Sequence, residues 1–257
     1  MDGLVVWELR GAVALVTINN PPLNLLSVAV KQELGRVFEL LEQESAVRAV
    51  VLTGGGERAF SAGSDVREFP SSEERGRWMS RLEHDVYARI DSFPVPVIAA
   101  LNGLTLGGGL ELAMACDLRV AAENIELGLP EVKIGVFPSG GGTQRLPRLI
   151  GEGRAKSMMF LGERISAREA ERIGLVTHLA PPGNAVVVAL DLAERIAAYP
   201  TLAIRAINEA VDVGLRQGMA AGTQREEELI ARLFLSADAR EGVSAFLEKR
   251  PPRFQHR

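Results

Sequence analysis

Apolar positions recur along this chain in two periods, and the switches between them mark out the elements. Residues 4–9 and 12–18 are β-type runs separated by Arg10-Gly11, a spacing that predicts a hairpin. Asn19-Asn20-Pro21-Pro22 breaks the pattern. After Ser27 the apolar positions fall at Val30, Leu34, Val37 and Leu41, which share one face of a helix. Residues 49–52 form a short apolar strand ended by Gly54-Gly55-Gly56, and residues 71–91 a polar helical stretch. Residues 95–101 predict another buried strand, with a helix over 110–116 after it. Strand, glycine-rich turn and helix thus alternate at uneven intervals, the pattern of an α/β protein without a fixed repeat period.

From about residue 183 the character changes. Residues 186–198, 202–215, 224–234 and 239–247 all read as helices. Ser236 and Asp238 suit the cap of the last one, and Val243, Phe246 and Leu247 are its apolar stripe. The chain therefore divides into a core over 1–195 and a helical region over 196–257. No flexible linker separates them, so the tail is expected to pack on the core or on a neighbouring subunit.

Composition narrows the function classes. The chain has 257 residues, 47% hydrophobic and 24% charged, enough apolar material for a large core. Net charge is −4 and the pI is near 5.6, so no basic field invites nucleic acid or an anionic membrane. The lysines are only Lys31, Lys133, Lys156 and Lys249; the other basic residues are arginines. Cys116 is the single cysteine, set in an apolar run that predicts a buried, inert thiol. His84, His178 and His256 show no metal-ligand spacing, and no metal site is expected. The opening from Met1 to Glu8 has neither a basic nor a long apolar region, so no secretory leader is expected and the cytoplasm suits the chain. Residues 93–110 carry no charge, but Pro94, Pro96, Asn102, Gly103 and Gly107 to Gly109 interrupt them, which argues against a membrane span.

Three glycine-bearing segments carry the candidate chemistry: residues 59–65, 102–111 and 138–144. None fits a nucleotide-binding fingerprint or a phosphate loop. In Gly107-Gly108-Gly109-Leu110-Glu111 a strand gives way to a helix whose first amides have no intrahelical acceptor. Glycines there let a ligand approach the backbone, a setting suited to negative charge developing on a carbonyl oxygen. Glu111, between Leu110 and Leu112, is either a partner for the helix dipole or a tuned acid–base group. Glu131, after Pro130 in mostly apolar surroundings, is either an ordinary turn residue or a carboxylate raised by desolvation. Two carboxylates in unlike environments are how enzymes run acid and base together, but local sequence does not show that these two meet.

These segments resemble the enoyl-CoA hydratase/isomerase (crotonase) superfamily in order and along nearly the whole chain. Ala59-Phe60-Ser61-Ala62-Gly63-Ser64-Asp65-Val66-Arg67-Glu68 is similar to the family's first oxyanion-hole segment, and residues 102–113 to its second. Pro130-Glu131 through Gly141-Gly142-Thr143-Gln144-Arg145-Leu146 is similar to a third family segment, and residues 238–254 to its C-terminal tail. The resemblance implies a crotonase-type spiral of repeated β-β-α turns, with C-terminal helices that assemble trimers, often paired into hexamers. It implies that the amides of Ser64 and Gly108 hold a thioester oxygen and that Glu111 and Glu131 form the acid–base pair. Leu25, Ala62, Asp65 and Val66 follow as further substrate contacts. The substrate implied is an acyl-CoA thioester, with no cofactor beyond the coenzyme A it carries, and enoyl-CoA hydration is the reaction expected.

Two positions depart from the family pattern. Ser64 stands where the family often has Ala, and its hydroxyl is expected to matter little because the backbone N–H does the work. Ser139 stands where many hydratases have Gly, close to the expected water site. A double-bond isomerase is the nearest rival, but such enzymes often replace the carboxylate matching Glu111 by an apolar residue. A non-catalytic scaffold would have no need of both glutamates, and a serine hydrolase lacks a G-x-S-x-G elbow.

Overall fold

The computed structural model describes residues 3–256, so the first two residues of the opening segment lie outside it. The expected hairpin is present: β1 (Val5–Arg10) runs antiparallel to β2 (Val13–Ile18), with Val5 opposite Ile18. Helix α1 (Val28–Glu42) follows, capped by Ser27, whose hydroxyl accepts from the Val30 amide. Val30, Leu34, Val37 and Leu41 are buried, as their spacing requires.

Three passes of strand, strand and helix come next. They are β3 (Ala49–Gly54), β4 (Ala59–Ser61) and α2 (Glu73–Asp91); then β5 (Val97–Leu101), β6 (Leu104–Leu106) and α3 (Gly108–Met114). In the third, β7 (Leu118–Ala122) and β8 (Glu126–Gly128) lead into a 3-10 turn (Glu131–Ile134) and α4 (Gly142–Ile150). The first strand of each pass joins a six-stranded sheet of order β1-β2-β3-β5-β7-β10, and the second joins a four-stranded sheet of order β4-β6-β8-β9. Each pass therefore advances both sheets by one parallel strand, which is a spiral of β-β-α turns. Helices α5 (Glu152–Leu161) and α6 (Ala167–Arg172) flank β9 (Arg164–Ser166), and β10 (His178–Ala180) closes the large sheet.

Strands of three residues carry no period, which is why β4, β6 and β8 left no mark in the hydropathy pattern. In the tail, α7 (Ala185–Ala197) lays Ala185, Ala189, Ala193 and Ala197 on the large sheet, against β3, β5 and β7. Helix α8 (Thr201–Gln217) ends at Gly218, and α9 (Met219–Leu233) begins there, well before the 224 expected from its apolar spacing. Met219-Ala220-Ala221 favours helix without presenting a polar face, so periodicity missed it. The two helices form a hairpin in which a Cβ on Gly222 would lie 2.8 Å from the Gly214 Cα. Helix α10 (Ala237–Glu248) starts at its Ser236 cap, as expected. Cys116 is buried, and burial pushes its thiol far above the usual range.

Candidate active site

The spiral brings the three glycine-bearing segments to one cavity of about 370 Å³. The loop after β4 and the start of α3 meet there by backbone contact. Gly63 has φ +100°, and a Cβ on it would lie 3.0 Å from the Leu106 carbonyl and 3.3 Å from the Gly108 nitrogen. A Cβ on Gly108 would in turn lie 3.4 Å from the Ser64 nitrogen. The positive φ of Gly63 favours glycine there, and the approach brings the Ser64 and Gly108 backbone nitrogens close together at the head of α3. The Gly108 N–H is in the first turn, where no intrahelical acceptor exists.

Two carboxylates face the same cavity. Glu111 lies one turn into α3 and is 3% exposed, with Oε1 accepting from the Gly142 amide at 2.8 Å. Burial, and next the charge of Glu83, push it up to about 8, against the opposing pull of the Gly142 N–H. Glu131 opens the 3-10 turn, and its Oε1 would lie 3.1 Å from a Cβ on Gly107. Both of its carboxylate oxygens are buried without a hydrogen-bond partner in the protein, among the described residues. Burial pushes this group up to about 7. A buried carboxylate left unpartnered is costly, and it is aimed at whatever enters the cavity.

A family model for enoyl-CoA hydratase/isomerase matches residues 8–257. The chain belongs to the enoyl-CoA hydratase/isomerase family. The short-chain-enoyl-CoA hydratase of Clostridium acetobutylicum is 40% identical over 248 residues, 96% of this chain and 95% of the relative. The 2,3-dehydroadipyl-CoA hydratase of Escherichia coli is 37% identical over 258 residues, the whole of both chains. Among solved structures, the enoyl-CoA hydratase of Bacillus anthracis superposes with a TM-score of 0.94 at 38% identity, covering 99% of this chain and 100% of that one.

In this member of the family, the residues expected at the site do not all line the cavity. Ala62, Ser64, Val66, Gly108, Glu111, Glu131 and Ser139 line the cavity; Leu25 and Asp65 do not. Leu25 is half-buried in the loop before α1, its carbonyl accepting from the Asn20 side chain. Asp65 turns to its neighbour: its carboxylate accepts from the Arg67 amide and pairs with the Arg67 guanidinium at 2.6 Å. That pairing holds it below the usual carboxylate range. Nor is the Ser64 hydroxyl a bystander, because its Oγ accepts from Lys31 Nζ at 3.0 Å.

Lys31 and Glu83 also line the cavity, and the buried Tyr87 hydroxyl lies 3.1 Å from Glu83 Oε1 behind them; none of the three was singled out from the sequence. Their signal was present but unread. Lys31 falls on the buried face of α1 with Leu34 and Phe38, and Glu83 on the buried face of α2 with Tyr87 and Ile90. A charge at a core-facing position of an amphipathic helix needs a partner, and these two supply one another.

Proposed function

We propose that this protein is an enoyl-CoA hydratase, adding water reversibly across the 2,3 double bond of a 2-enoyl-CoA thioester. The observation that carries the reading is the pair of buried, upward-shifted carboxylates beside two adjacent amides. With Glu131 pushed up to about 7 and Glu111 to about 8, a protonated and an ionised carboxyl are both accessible to the pair at neutral pH. One carboxylate then takes a proton from water as it adds at the β-carbon, while the other gives a proton to the α-carbon. The thioester oxygen gains charge in that step, and the Ser64 and Gly108 amides receive it. Each such donor is worth about 3–4 kcal/mol in other enzymes. Relatives named for short-chain enoyl-CoA and 2,3-dehydroadipyl-CoA support a coenzyme A thioester with a short or modest acyl group.

We also propose assembly into trimers through the C-terminal helices. Phe234, Leu235, Phe246 and Leu247 are 69–82% exposed in the single chain, more apolar surface than a monomer usually leaves to water.

The test is turnover of 2-enoyl and 3-enoyl thioesters in deuterated water with product identification. Glu111→Gln and Glu131→Gln should each lower hydration at least about 100-fold, with a combined loss smaller than the product of the two. Rapid 3-enoyl to 2-enoyl conversion without hydroxyacyl product, with Glu111→Gln nearly as active as the parent, would overturn hydration in favour of isomerisation.

A further inference from the structure

The hydration reading leaves two charged groups of the same cavity without a part. Lys31 and Glu83 both line it, and their side chains are only 5% and 9% exposed. Lys31 Nζ lies 3.0 Å from Glu83 Oε1 and donates to Ser64 Oγ at 3.0 Å. Ser64 Oγ in turn is 3.4 Å from Glu83 Oε1. The Tyr87 hydroxyl is 3.1 Å from Glu83 Oε1 and 2.9 Å from the Gly108 carbonyl, so it can donate to either. The network thus touches both Ser64 and Gly108, which line the cavity.

Glu83 also stands close to Glu111. A Cβ on Gly140 would lie 2.9 Å from Glu111 Oε2 and 3.1 Å from Glu83 Cδ, so both carboxyl groups abut one point. Glu83, Glu111 and Glu131 therefore converge from α2, α3 and the 3-10 turn. The cations facing them are Lys31 of α1, buried; Lys133 of the 3-10 turn, at the exposed rim; and Arg145 of α4, held near the Gly140 carbonyl. Burying an ion pair carries a large desolvation cost for each ion, and apolar residues of like volume often stabilise a core as well or better. A stability role does not account for a pair set against the reacting groups.

We propose that Lys31 and Glu83 are positioning residues of this site, bracing the Ser64 and Gly108 segments and setting the charge that Glu111 and Glu131 experience. The proposal rests on the hydration reading for its chemistry but not for its test. Glu83 pushes both carboxylates upward, and the Lys31 ammonium, 3.0 Å from Glu83, carries the opposite charge and should by Coulomb's law offset that push. Removing Lys31 should raise both groups further, whereas neutralising Glu83 should lower them. Removing both charges should cancel.

The experiment uses Lys31→Met, Glu83→Gln and the double variant, with two readouts. Side-chain carboxyl carbons of 13C-glutamate-labelled protein are titrated by NMR, with Glu111 and Glu131 assigned through their Gln variants. In parallel, kcat/KM for a 2-enoyl thioester is followed against pH. Lys31→Met should move both titrations, and both limbs of the pH bell, up by about one unit. Glu83→Gln should move them down by about as much, and the double variant should return to within about 0.3 units of the parent. In each single variant kcat should fall about 10-fold while KM stays within about threefold. Shifts in the same direction, or none, in folded single variants would overturn the proposal. If Lys31→Met does not fold, the downward shift in Glu83→Gln and its reversal in the double variant decide the matter, and their absence overturns it. Should the parent release no hydroxyacyl product from any enoyl thioester, the hydration reading alone falls, because the NMR titrations still read the charge coupling.

Discussion

Ser64 shows how much one residue can carry. Its amide lies beside that of Gly108, while its hydroxyl holds Lys31, and the two roles separate by substitution. Ser64→Ala keeps the N–H, and Lys31 still reaches Glu83 directly, so kcat should fall by less than about 10-fold. Ser64→Pro removes the amide and should cost at least about 100-fold with the fold retained, as circular dichroism would check. Equal losses in the two variants would move the role from backbone to side chain. Glu111 makes a stability prediction with a definite sign. Its folded value near 8 lies above its unfolded value, so the native chain binds the proton more tightly. Its contribution is fully present below the unfolded value, is lost as pH rises towards 8, and levels off above. Gln keeps the acceptor for the Gly142 amide and does not titrate. Glu111→Gln should therefore melt about 5 °C above the parent at alkaline pH and close to it at pH 5, read from thermal scans. A constant offset across pH would show that Glu111 is not the titrating group.

At the scale of elements, the site depends on the loop after β4 pressing against the head of α3. Gly63 takes a positive φ in that contact, and a Cβ would push on the Leu106 carbonyl. Gly63→Ala should hold the two amide-bearing segments apart by a fraction of an ångström to an ångström. A displacement of that size can cost about 100-fold in kcat, with little change in KM if binding of the coenzyme A moiety is untouched. Steady-state kinetics beside a circular dichroism spectrum would check it, and wild-type kcat would show that the loop adapts. The same elements explain the unequal legibility of the site. Glu111 and the glycines before it were readable because a strand ending and a helix beginning leave a local mark. Lys31 and Glu83 leave only a partial mark, a charge on the buried face of a helix; that the two pair and share the cavity is decided when α1 and α2 pack together.

At the scale of the whole molecule, the tail carries the prediction. Helices α8 and α9 pack mainly on one another, and α10 keeps Val243, Phe246 and Leu247 turned to solvent. Sedimentation at micromolar concentration should give a trimer or a multiple of it. Phe246→Glu with Leu247→Glu should shift it towards monomer, since a buried unpaired charge at an interface costs several kcal/mol. A stable monomer of the parent chain would contradict the assembly.

The sequence by itself determined the hairpin, the buried face of α1, the presence of helices in the tail, and the segments that resemble one family. These features are local: a period of two or 3.6, a cap, or a run of glycines is written within a dozen residues. Only the tertiary structure decided which candidates share a cavity. It brought Glu131 to Gly107, turned Asp65 away to Arg67, left Leu25 outside, and gave the Ser64 hydroxyl a partner from α1. The reason is physical. The pKa of a carboxylate and the partner of a buried charge depend on groups within a few ångströms in space, and the spiral draws those groups from helices and turns far apart in the chain.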